Sequence, residues 1–145
     1  AATVYAALML AALGGVGRDG LIGAARELWR AHAAAPAGIF DVAVGAAPTP
    51  RPALDHADPA VTDPFAVLGL VVGAVTASAG FREGLLGLVN RGGDADLHGA
   101  LFGQLAGALY GVEAIPAAWR AGLLRRALLQ DFVDRLLIAA LAPHD

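Results

Sequence analysis

The 145 residues include no cysteine. That excludes disulfides and thiolate metal sites and leaves the compartment open. Lysine is absent too, and all ten basic residues are arginine. In a chain this rich in Ala and Gly, that reads as bias in the coding sequence rather than as a physical requirement. Charge of either sign is scarce, at 16% of residues, and the formal net charge is -3. With no basic stripe, a nucleic-acid partner is not expected. No strand-type alternation of useful length and no clear internal repeat occur. The chain has no initiator Met, and no charged segment precedes its opening, "AATVYAALMLAALGG". A secretory signal peptide is therefore not expected, and the cytoplasm is the expected location. The opening reads as though already inside an apolar helix, which suggests a processed, truncated or split protein.

What the chain has in abundance is apolar residues, 57% of the total, and 19 glycines. Its length suits one domain with a core of its own. Residues 64–81, "PFAVLGLVVGAVTASAGF", carry no charge and reach the roughly 18-residue length of a membrane-spanning helix. Gly69, Gly73, Thr76, Ser78 and Gly80 dilute that run, and no aromatic anchors or arginine asymmetry flank it. The centre of an all-α bundle also accommodates such a segment. A small helical membrane protein remains an alternative.

The pattern predicts an all-α fold, a compact bundle of about five helices. These would form a single domain or partial domain over residues 1–145. Helices are expected over 2–13 and 20–34, separated by "GGVGRDG". Proline density makes 36–64 an internal loop. A third helix is expected over about 65–79, and a fourth follows a short break within 78–90. The fifth covers 96–111, and 116–141 reads as one long helix with Pro116 in its first turn.

The chemistry concentrates in residues 88–111, "LVNRGGDADLHGALFGQLAGALYG". Gly99, Gly103, Gly107 and Gly111 recur every four residues, forming one ridge on a helix. Each glycine costs roughly 1 kcal/mol against Ala, so the ridge predicts very close approach by a neighbouring helix. Two readings of Asp94 and Asp96 stand side by side. In one, Asp96 is the N-cap and Asp94 gains from the helix dipole. In the other, the two carboxylates converge from a glycine turn on a hard cation, Mg²⁺ or Mn²⁺.

Taken in order, Val89, Asn90, Gly92, Gly93, Asp94 and Asp96, then Gly107, Ala108, Gly111, Ile115, Pro116 and Trp119, resemble the C-terminal signature of a family. It is the ADP-ribosylglycohydrolase family, of the dinitrogenase-reductase-activating type. The likeness covers about residues 65–128 well and 1–60 only in general character. It implies the C-terminal half of an all-α fold with a dinuclear Mg²⁺ or Mn²⁺ centre. It also implies hydrolysis of the glycosidic bond between ADP-ribose and a protein or small molecule. Carried over by position, Asp94 and Asp96 are expected metal ligands, and Asn90, Gly92 and Gly93 shape the ligand-binding turn. No residue is assigned a catalytic role.

Two departures bear on that expectation. The family places Thr directly after the second Asp, where this chain has Leu97, which has no oxygen to coordinate with. The family's Thr-Asp-Asp cluster is also missing; "VTDPF" offers Thr62 and Asp63 but then Pro64. The chain is therefore expected to hold half a site, completed by an N-terminal half or a second copy. A non-catalytic member acting as a binding or interaction module is the alternative. His32, His56, His98 and His144 show no paired spacing and read as solvated or singly hydrogen-bonded. The acidic stretch 55–63 reads as a solvated loop.

Overall fold

The computed structural model describes residues 1–32, 38–45 and 63–142. Helices are the regular structure of those residues, with no strand among them, and the chain divides into two units, Ala1–Ala114 and Ile115–Asp145.

The first unit opens with α1, Ala2–Leu13, which buries Val4, Ala7, Leu8 and Ala11 at helical spacing. It stops at Gly14–Gly15, where Gly15 takes φ +82°, a conformation that favours glycine. A 3-10 turn at Arg18–Gly20 leads into α2, Leu21–His32. There Leu21, Ala25 and Trp29 face inward, and Arg30 pairs with Glu27 on the outside at 2.9 Å. Helix α3, Gly38–Gly45, buries Phe40 and Ala43. Arg26 fastens α2 to α3, pairing with Asp41 at 2.7 Å and lying 5.6 Å over the Phe40 ring.

Helix α4, Pro64–Ala77, forms the centre of this unit. Asp63 caps it by accepting a hydrogen bond from the Phe65 N–H at 3.0 Å, and Pro64 occupies the first turn. Val67, Leu68, Leu70, Val71, Val72 and Val75 are all buried. Each such side chain contributes roughly 1.5–3 kcal/mol when removed from water. Helix α5, Phe81–Val89, and helix α6, Ala95–Tyr110, pack beside it. Phe81 and Phe102 meet edge to face, with ring centroids 5.8 Å apart. Two tyrosines pin α6 to its neighbours. The Tyr5 hydroxyl donates to the Leu101 carbonyl at 2.9 Å, and that of Tyr110 donates to the Val75 carbonyl at 3.1 Å.

In the second unit, α7 spans Ala117–Ala121 and α8 spans Arg126–Leu141. Every residue from Ala121 to Ala142 is exposed.

Three expectations need correction. The long helix over 116–141 is broken between Ala121 and Arg126, where Arg125 takes the left-handed φ of 56°. The proline-rich loop over 36–64 contains α3, because no proline falls between Pro36 and Pro48 and Phe40 has a core to enter. Residues 46–62 of that loop lie outside the described residues. The apolar run 64–81 ends as a helix at Ala77, its 14 residues spanning about 21 Å against a roughly 30 Å hydrocarbon layer. No helix among the described residues is long and apolar enough to cross a membrane.

Candidate functional site

The chain between α5 and α6 makes a tight reversal. Asn90 ends α5, its N–H bonded to the Leu86 carbonyl at 3.1 Å. Gly92 and Gly93 follow at φ 80° and 70°, left-handed values that favour glycine over other residues. The turn delivers Asp94 to the N-cap of α6, where its Oδ1 accepts the Leu97 N–H at 3.1 Å. Asp96 lies in the first turn. The capping expectation is thus exchanged between the two residues: Asp94 is the cap, and Asp96 is the carboxylate near the dipole. Both side chains are exposed, as is Asn90, and neither carboxylate forms an ion pair among the described residues.

The glycine ridge is corrected as well. A Cβ added at Gly99 would meet Val89 Cγ1 at 3.3 Å, so only there does α6 need glycine for its packing against α5. Gly103 and Gly107 face open space, and Gly111 ends the helix at φ 79°. Close approach occurs instead at Gly84, where an added Cβ would lie 2.5 Å from both Phe102 Cζ and Ser78 Oγ.

His98 differs most from its sequence reading. It is 0% exposed, and neither ring nitrogen has a hydrogen-bond partner among the described residues. Burial pushes its pKa down; the Asp94 carboxylate pulls it up, and Arg91 pushes it further down. An apolar spacing pattern through Leu101, Phe102 and Leu105 on the same helix was the available signal for burial. His32 is exposed, with Nδ1 3.0 Å from the Leu28 carbonyl. His56, Thr62 and His144 lie outside the described residues. Asp63, the remaining acid of the "VTDPF" stretch, is spent on capping α4.

Leu97 is 41% exposed and borders a cavity of about 300 Å³ with Tyr5, Pro64, Val67, Leu68 and Leu101. The wall beside the carboxylates is therefore apolar. Their oxygens suit a hard cation in kind. In number they fall short, because no group of three or more His, Asp or Glu able to hold a metal exists among the described residues. The residues present therefore suit a cation in chemical kind and not in number.

A family model described as ADP-ribosylglycohydrolase matches residues 1–144, so the likeness extends beyond the 65–128 stretch that carries the motif. Over 63 residues the chain is 56% identical to an ADP-ribosyl-[dinitrogen reductase] glycohydrolase of Rhodospirillum rubrum. That match covers 41% of this chain and 21% of the relative. Over 67 residues it is 36% identical to the ADP-ribosylarginine hydrolase Tri1 of Serratia proteamaculans (strain 568), covering 46% of this chain and 18% of the relative. The matched part is thus about a fifth of either curated relative. No solved structure matches.

Proposed function

The chain belongs to the ADP-ribosylglycohydrolase family, and on that premise we propose that it supplies part of a cytoplasmic hydrolase cleaving the glycosidic bond between ADP-ribose and a modified protein. Arginine-linked ADP-ribose is the substrate type that the name of the Serratia relative suggests. The observation that carries the reading is the Gly92–Gly93 reversal, which leads directly into the start of α6, where Asp94 and Asp96 are both exposed.

In this reading Asp94 and Asp96 contribute oxygen ligands to Mg²⁺ or Mn²⁺. Asn90 and the Gly92–Gly93 backbone shape the turn against which the substrate lies. Once bound, such a cation supplies Lewis-acid polarisation and positions a water for attack. The chain's own contribution is to carry two carboxylates on a held turn. The Leu97 N–H holds Asp94, the left-handed glycines set the backbone before it, and α5 packs against α6 at Gly99. The remaining ligands come from an N-terminal half or a second copy, since Leu97 offers none.

Calorimetric titration with Mn²⁺, with and without ADP-ribose, tests this against an Asp94→Asn, Asp96→Asn double variant. Saturable binding that disappears in the double variant is the expected result. Equal heats from both proteins would leave the carboxylates as a cap and a dipole contact. Leu97 and its apolar cavity favour a second reading, in which the chain binds without turnover. ADP-ribose affinity that needs neither Mn²⁺ nor the two carboxylates would select it.

A further inference from the structure

We propose that the groove between α4 and α5 binds a small oxyanion, phosphate or carboxylate, through Arg91. The groove holds about 180 Å³, with Gly73, Ala74, Ala77 and Ser78 on one side and Gly87 and Arg91 on the other. A water's share of liquid volume is about 30 Å³, so an oxyanion and its first waters fit. Small residues make most of the walls, with Leu70 and Leu88 among them, and the polar groups stand at the two ends, Ser78 before α5 and Arg91 beyond its last turn.

Among the described residues those polar groups have no hydrogen-bond partner: Arg91 Nε and one terminal guanidinium nitrogen, Nη2, are buried, and so is Ser78 Oγ on a residue only 8% exposed. The Nε–Nη2 edge of a guanidinium is one that grips a carboxylate or phosphate with two parallel bonds. Leaving such groups buried and unpaired carries a desolvation penalty, larger for a charged group. Asp94, three residues on, caps α6 and forms no ion pair with Arg91 among the described residues. Arg91 forms no ion pair among the described residues. A second positive charge lies at the Ser78 end, where Arg18 donates to the Ser78 carbonyl at 2.6 Å. Where they stand, Ser78 Oγ and the two guanidinium nitrogens are closed to water. Binding therefore turns the half-buried Arg91 side chain toward the ligand. This site is separate from the cation reading, and the chain's formal net charge of -3 opposes an anion, which keeps the affinity modest.

The test is NMR of the full chain at constant ionic strength, following Arg91 Nε–H and the Gly84 and Gly87 amides. Inorganic phosphate and acetate are titrated separately, with chloride as the control. Saturable shifts at these signals with phosphate, acetate or both are expected, and the tighter of the two names the source chemistry. Arg91→Gln should weaken binding about tenfold or more, the loss of a charge-assisted pair of hydrogen bonds. Gly87→Leu gives an independent check, because a Cβ there meets nothing within 4 Å. It fills the groove mouth, should block binding, and leaves Arg91 in place. An absence of saturable shifts with either anion overturns the proposal. So do shifts that both variants retain. An Asp94→Asn variant should bind the oxyanion more tightly, whereas a cation bound at the carboxylates would be lost, so the two readings fail separately.

Discussion

The two units are built from similar residues, yet one has a core and the other has no buried side chain among its described residues. Helix α4 is apolar along its length, and six of its Val and Leu side chains are buried. In α8, Leu136, Ile138 and Leu141 are 69%, 70% and 75% exposed. Their ends differ in the same way. Asp63 caps α4 and Pro64 occupies its first turn, whereas α8 starts from Arg125 in a left-handed conformation with no side-chain cap. Apolar composition marks a residue as able to enter a core. Stabilisation comes only from area actually removed from water.

The strongest way to break this comparison is a pair of equal truncations. Phe102 is fully buried against Phe81, so Phe102→Ala should cost about 3–5 kcal/mol in chemical denaturation. A loss below about 1 kcal/mol would mean the first unit is not packed as described. Glycines sharpen the same contrast with opposite signs. Gly84→Ala drives a methyl into Phe102 and Ser78 and should cost about 1–3 kcal/mol. Gly103→Ala meets nothing within 4 Å and should stabilise by up to about 1 kcal/mol through helix propensity. Equal effects from the two would contradict the packing of α5 against α6.

Those glycines also show what was legible from the sequence. The all-α class and the helices over 2–13, 64–77 and 95–110 follow from periodicity, caps and breakers, and the structure agrees to within a residue or two. The four-residue glycine spacing was equally visible but misleading, because spacing shows which residues share a face and not what stands opposite. Gly84, the glycine that matters most, belongs to no repeat. The break before Arg126 was hidden because an isolated glycine such as Gly122 is also tolerated inside a helical pattern, and Arg125 gives no sign of its left-handed φ. The Gly92–Gly93 turn and both aspartates could be read directly from the motif. The burial of His98 was signalled only by the apolar spacing through Leu101, Phe102 and Leu105, against which a histidine beside two acids suggests solvent.

His98 gives the next effect, one of pH in the metal-free protein. Burial holds its pKa below the ordinary 6.5. Between the folded and ordinary values the unfolded chain binds more protons, so stability is full above about 6.5 and falls as the pH drops through that window. His98→Leu removes the buried imidazole at similar volume. Urea midpoints measured from pH 7 to pH 5 should then decline less in the variant than in the parent. Parallel declines would show that other groups set the acid limb.

The smallest expected effect tests the second unit. Phe132 is 53% exposed, and the Ala substitution that costs several kcal/mol at Phe102 should change stability at Phe132 by no more than about 0.5 kcal/mol. Sixteen residues with no buried face are marginal as a helix in water, so α8 should melt without a cooperative transition of its own. A loss above about 1 kcal/mol would mean that the Phe132 face is covered in solution. If that loss grows with protein concentration, a second copy provides the cover, and if it does not, the cover comes from within the chain. Either result would erase the difference between the two units, because α8 would then owe its stability to burial, as α4 does.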